Sequence, residues 1–275
     1  MNGPIIAVDR VTRDCHALFC GSPDVRSLRA TRPEHCGKHR PDHRAGGAPW
    51  NADRMEIHTG AGQHWKHTYD SKGVNEVSWY QTEPAESLRL LTAAGLHHNS
   101  SVIDIGGGAS VLVDRLLDLG VGDVTVLDIA EAAIAASRGR LGQRATTVNW
   151  LVQDLLTWTS TRRYDLWHDR AVFHFLTDPA ERDRYRQVLD TNLADAGHVV
   201  IGTFAEDGPQ SCSGLPVARY SPEALAAQFP DLQILDVRRE EHRTPWASVQ
   251  PFTWLLMRRR TLLATGGTAV QHLDR

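Results

Sequence analysis

Residues 101–128 read SVIDIGGGASVLVDRLLDLGVGDVTVLD, and the order of residue types within them points to one kind of fold. A short β-rich run, Val102-Ile103-Asp104-Ile105, breaks at Gly106, Gly107 and Gly108. A helix-period run follows, with Leu112, Leu116 and Leu119 on one stripe, and Gly120 and Gly122 close it. A second β-rich run, Val124 to Leu127, finishes on Asp128. Strand, glycine turn, helix and strand form one βαβ unit of an α/β fold, with a right-handed crossover expected. Glycines at such a corner let the backbone approach a ligand closely. The helix that starts there offers unpaired N–H groups. An acid about 20 residues further on, at the end of the second strand, is placed to accept hydrogen bonds from a ribose. The implied ligand is a nucleoside.

Two residues argue against a dinucleotide. The register Gly106-Gly107-Gly108-Ala109-Ser110-Val111 puts bulky Val111 where a dinucleotide turn needs a third small residue. Asp104 would face a pyrophosphate unfavourably, but it suits the ammonium of an amino-acid moiety. Asp104-x-Gly106-x-Gly108-x-Ser110 resembles the first motif, (D/E)xGxGxG, of class I S-adenosylmethionine (SAM) methyltransferases. Ser110 replaces the last glycine, at a position expected in the first turn of the helix.

Bulk properties narrow the class. The chain has 275 residues, 41% hydrophobic and 23% charged, as for one soluble α/β domain with extra segments. No apolar run approaches the ~20 residues that span a bilayer, and the N-terminus shows no signal-peptide pattern. A net charge of −3 argues against a general nucleic-acid binder. Cys15, Cys20, Cys36 and Cys212 make no disulfide framework, which fits reduced thiols in a cytoplasm. No metal centre is expected: Cys15, Cys20, Cys36, His39 and His43 fit no zinc module. Residues 1–54 hold nine basic and six acidic residues and no sustained periodicity. They are expected to be a disordered extension, with Met55 a candidate natural start. A Gly- and Thr-rich tail over 263–275 is expected to fray. The composition does not set the oligomeric state.

The stretch between the two zones, HWKHTYDSKGVNEVSWYQTEPAESLRLL from His64, resembles the N-terminal lid of bacterial small-molecule SAM methyltransferases likened to trans-aconitate methyltransferase. That resemblance spans about residues 63–260. It implies a Rossmann-like open sheet, mostly parallel with an antiparallel last strand, helices on both faces, and a lid over 55–95 of a domain ending near 262. It also implies SAM as cofactor and methyl transfer to an O, N, S or carboxylate acceptor of a small molecule. A protein side chain, a non-catalytic SAM-binding role and, less favoured, an NAD-dependent oxidoreductase are the alternatives.

Candidate site residues follow in chain order. Trp65, Tyr69, Trp79 and Tyr80 can cover a bound sulfonium or pack the lid. Tyr80 is the first choice for a cofactor contact and Trp65 for the substrate. Asp104, Gly106, Gly107, Gly108 and Ser110 form the corner; Asp128 and Ile129 follow the second strand. A third strand over Val148–Val152 leads to Asp154 and Leu155, which the resemblance places at the adenine. A fourth strand, Tyr164–His168, runs into Asp169, Arg170 and His174 at the carboxyl end that flanks the switch point. His168 or His174 is expected as a general base, with Asp169 orienting it, Arg170 on the substrate, and His168 also near the cofactor. The loop Ala205–Tyr220 is long, and such loops usually bind something. Arg219 and Tyr220 are its expected substrate contacts, and Cys212 is not expected as a nucleophile. No (D/N)PP(Y/F) stretch or Pro-Cys pair points to nucleic-acid methylation.

Overall fold

The computed structural model describes residues 62–69, 71, 73 and 75–260. The expectations for residues 1–54, Met55 and the tail lie outside the described residues. A helical run over 62–69, α1, leads to α2 (Ala85–Ala93). The sheet then alternates with helices: β1 (Ser101–Ile105), α3 (Leu112–Asp118), β2 (Asp123–Asp128), α4 (Glu131–Leu141), β3 (Val148–Val152), β4 (Tyr164–Arg170), α5 (Pro179–Asn192) and β5 (Leu193–Phe204). A two-strand hairpin, β6 (Ser211–Cys212) and β7 (Leu215–Pro216), and a short helix α6 (Pro222–Ala226) precede the last two strands, β8 (Leu232–Arg243) and β9 (Val249–Arg259).

Seven strands lie in the order β3-β2-β1-β4-β5-β9-β8. β1 pairs in parallel with both β2 and β4, so the strand order reverses between β1 and β4. Chains leaving their carboxyl ends diverge there and open a crevice. β9 is antiparallel to both of its neighbours, β5 and β8, and β8 is the edge. Near-continuous apolar runs such as Val124-Thr-Val-Leu127 are what a parallel strand covered on both faces requires. One core, under α2 and α3, contains Leu90, Leu91, Leu112, Leu116 and Val126; the other, under α5 and α6, contains Ile105, Trp167, Tyr185, Leu189 and Leu225.

Local chemistry accounts for the element ends. Asp178 caps α5 through a reciprocal capping box with Glu181, and Pro179 occupies the first turn. Gly120 ends the α3 segment at φ +76°, with Val121 N–H donating to Leu116 O at 3.0 Å. α3 therefore stops at Asp118, and Leu119, expected on the buried stripe, is 57% exposed. Val113 takes its place in the core. Pro84 stands at the N-cap of α2 rather than inside its first turn. None of the described helices is long and apolar enough to cross a membrane.

Candidate functional site

The corner after β1 is shaped by what cannot fit there. Gly106 has φ +66°, and its N–H donates to Leu127 O at 2.7 Å, tying the turn to β2. A Cβ on Gly107 would stand 2.3 Å from Asp104 Oδ2, and one on Gly108 2.3 Å from Asp128 Oδ2. The glycines thus allow two carboxylates, from neighbouring strands, to pack against the turn. Ser110 lies ahead of α3, not within its first turn, and its Oγ accepts from Leu112 N–H at 3.1 Å.

Two cavities open over this corner. The larger, about 360 Å³, is lined by Gly106, Asp128, Ile129, Asp154 and Leu155 and by the aromatics Trp65, Tyr69, Trp79 and Phe175. The smaller, about 50 Å³, is lined by Asp104, Gly107, Ser110, Tyr80, Ser87 and His168, among others. Gly106, Tyr69, Trp79 and Arg170 border both. Gly108 lines neither and serves as packing beneath the turn.

At the larger cavity, Asp128 Oδ1 accepts from Ala130 N–H at 2.8 Å. Burial pushes its carboxyl up to about 7, against the pull of the Ala130 amide. Asp154 Oδ1 accepts from Leu156 N–H at 2.8 Å. Asp128 pairs in register with Val152, which places Asp154 just beyond the adjacent strand's end. Burial and, after it, the Asp128 charge raise the Tyr69 phenol. Trp65 meets Trp79 and Phe175 edge-on, with centroids 5.7 and 5.1 Å apart.

At the smaller cavity the side chains form a buried chain. His168 Nδ1 is hydrogen-bonded to Asp104 Oδ1 at 2.7 Å, and Nε2 to Ser87 Oγ at 2.9 Å. Asp104 Oδ2 has no hydrogen-bond partner among the described residues. Asp104 and His168 sit opposite each other in the β1–β4 register, so the pairing follows from the sheet itself.

Four expectations need correction. Asp169 does not orient His168. It leaves the opposite face of β4 and accepts from Val172 N–H (2.9 Å), Phe173 N–H (3.2 Å) and the Tyr185 hydroxyl (2.8 Å). Burial nonetheless pushes its carboxyl up to about 6. His174 lines neither cavity. It is buried between Phe175 and Phe204, accepts from Phe204 N–H at 3.3 Å, and burial lowers it to about 3. Arg219 is exposed and donates to Gly208 O at 3.0 Å. Tyr220 is buried against Phe173 and lines neither cavity. The long loop reaches the larger cavity instead through Cys212, Leu215 and Pro216 of the β6–β7 hairpin.

Ser87 and Phe175 were not legible as site residues. Ser87 lies in the first turn of α2, 81 positions from His168, with no local signal. Phe175 reads as one more apolar residue of a core segment. The sequence does carry a usable sign for Tyr69 and Trp79, namely the concentration of aromatics just before the glycine-turn unit.

A methyltransferase domain family matches residues 102–192. Nodulation protein S of Sinorhizobium fredii is 28% identical over 123 residues, 45% of this chain and 55% of the relative. The eEF1A lysine and N-terminal methyltransferase of Mus musculus is 26% identical over 144 residues, 51% of this chain and 20% of the relative. The chain thus spans about half, or less, of the length of these relatives. Among solved structures, the Burkholderia thailandensis 1,6-didemethyltoxoflavin-N1-methyltransferase, with bound 1,6-didemethyltoxoflavin and S-adenosylhomocysteine (SAH), superposes with a TM-score of 0.59 at 19% identity, covering 78% of this chain and 93% of that one. The N-methyltransferase NodS of Bradyrhizobium japonicum with SAH gives 0.56 at 18% identity, covering 71% and 98%. At these identities the likeness to the two structures is one of fold.

Proposed function

We propose, from the premise that this chain belongs to the class I SAM-dependent methyltransferases, that it transfers a methyl group from SAM to a small-molecule acceptor bound in the larger cavity. The observation that carries this reading is the placement of Asp104, Asp128 and Asp154 at the mouths of three adjacent strands, around a turn where a Cβ would collide. The residues present fit the cofactor. Asp104 lines the smaller cavity, and its Oδ2 is an acceptor without a partner among the described residues, suited to an ammonium. Asp128 would accept from the ribose hydroxyls, Asp154 and Leu155 would border the adenine, and Tyr69 and Trp79 would face a sulfonium. When bound, SAM supplies a methyl group on positive sulfur, already activated for in-line displacement.

The protein's own contribution is orientation and exclusion of water. His168 holds Asp104 at one carboxylate oxygen and is itself held by Ser87, so the ammonium acceptor is aimed before anything binds. With both ring nitrogens engaged, His168 acts here as a positioning residue rather than a base. Trp65, Trp79 and Phe175 pack edge-to-face beside the acceptor space. The β6–β7 hairpin borders it as well. The part of the cavity bordered by Trp65, Phe175, Leu215 and Pro216 is left to the acceptor, and this apolar lining suits a small organic molecule. Calorimetry with SAH tests the premise for this chain: micromolar binding that Asp128→Asn weakens is expected, and no binding by the wild type would refute it. Production of SAH from SAM with a metabolite pool, absent with a pool of folded proteins, tests the acceptor class.

A further inference from the structure

The guanidinium of Arg170 has no part in the methyl-transfer reading above. The side chain leaves β4 two residues after His168 and borders both cavities. Its Nη1 donates to Trp79 O at 2.9 Å, and its plane lies over the Phe252 ring with Cζ 4.8 Å from the centroid. Nε and Nη2 are buried and have no hydrogen-bond partner among the described residues. The acid that most supports its charge, Glu240, already accepts from Gln81 Nε2 and Trp254 Nε1, each at 2.9 Å.

The unpaired atoms are not an arbitrary pair. Nε and Nη2 lie along one edge of the guanidinium, and their parallel N–H bonds match the two oxygens of a carboxylate. A buried edge of this kind without a partner is unfavourable, and a bidentate anion removes the deficit. Among the described residues lining either cavity, Arg170 is the only arginine or lysine, against the acids Asp104, Asp128, Asp154 and Glu181. A carboxylate entering this space therefore has one charged partner.

We propose that Arg170 receives a carboxylate of the methyl acceptor on its Nε/Nη2 edge, so that the substrates are small organic acids. This rests on the methyltransferase reading. The amino-acid end of SAM is the other source of a carboxylate, and the test separates the two. Arg170 lines both cavities, and Cys212, Trp65 and Phe175 line only the larger of them. The apolar walls made by Trp65 and Phe175 suit an aromatic body behind the carboxylate.

The experiment uses the full chain and three measurements: SAH affinity by calorimetry, then binding of benzoate and of benzamide to the SAH-loaded protein by ligand-observed NMR. Expected are SAH binding, benzoate binding, and benzamide weaker by about tenfold or more, since a site built for two donors rejects the neutral analogue. Arg170→Lys, which keeps the charge and loses the fork, is expected to weaken benzoate by about tenfold while SAH affinity stays within about twofold. Failure of the wild type to bind SAH sinks the methyltransferase reading and this proposal with it. SAH binding with no benzoate binding, or with benzamide equal to benzoate, overturns the proposal alone. Loss of SAH affinity in Arg170→Lys, with benzoate unaffected, overturns it by assigning the edge to the donor's carboxylate. The acid–amide comparison on the wild type decides the matter even where the variant does not fold.

Discussion

The two faces of the carboxyl end of β4 receive similar residues and put them to opposite uses. His168 and Arg170 leave one face and border the cavities, while Asp169 leaves the other and disappears beneath α5. A strand alternates its side chains between faces, so one residue of offset separates a ligand contact from a strut. Asp169 and Asp128 make the contrast sharper. Both are buried carboxyls raised by desolvation, to about 6 and about 7. Only Asp128 borders a cavity; Asp169 spends its oxygens on the chain that follows β4. A perturbed carboxyl is therefore no proof of a ligand site. What it faces decides.

The largest expected effect tests the strut. Asp169→Ala removes the acceptor for two buried amides and the Tyr185 hydroxyl. It should cost about 3 kcal/mol of stability, read by urea unfolding, while the remaining folded protein keeps SAH affinity within about twofold. A large loss of affinity with intact stability would reverse the assignment of the two faces. On the cavity side, Asp128→Asn should weaken SAH by about 2–3 kcal/mol, near a hundredfold, because two charge-assisted hydrogen bonds to the ribose are lost.

The pH dependence separates the same two acids. A carboxyl raised in the folded state keeps its proton where the unfolded chain has already lost one. Each therefore contributes stability at low pH that is lost as pH rises from the unfolded value, 3.8, toward about 7 for Asp128 and about 6 for Asp169. Ligand binding has the opposite sign at Asp128, since ribose hydroxyls donate to the ionised form. SAH affinity should rise roughly tenfold between pH 6 and pH 8 and then level, and calorimetry on Asp128→Asn should show the rise abolished. A flat wild-type profile would remove Asp128 from the ribose.

The smaller effects probe residues that only resembled site groups. His174→Gln keeps a polar side chain in the pocket between Phe175 and Phe204. Its cost should be about 1–2 kcal/mol in stability, with SAH production unchanged within about twofold once an acceptor is in hand. A loss of a hundredfold in turnover would return His174 to catalysis. Arg219→Ala should change stability by no more than about 0.5 kcal/mol and leave acceptor KM unaltered.

Much of this was open to reading in the residues. The alternation of apolar strands with helical stripes, the break at Gly106–Gly108 and the acids after successive strands are local patterns, and local sterics enforce them. β3 occupies Val148–Val152 as the pattern expects, and α5 begins at a capping box written in Asp178-Pro179-x-Glu181. The expectation for His174, just beyond β4, failed for a reason equally physical. Ala171 adopts φ +72°, in the left-handed region, and interrupts the alternation that would have projected His174 toward the crevice. A non-glycine residue gives no warning of such a turn.

By itself, then, the sequence determined the βαβ grammar of this protein, the glycine corner and the three strand-end acids, because backbone sterics and hydrophobic periodicity act over a few residues. Only the tertiary structure decided which polar side chains share a space. The partnership of Ser87, His168 and Asp104, the aromatic wall of Trp65 and Phe175, and the buried edge of Arg170 all join positions far apart in the chain. Contacts of that kind are set by sheet register and packing, which no local pattern encodes.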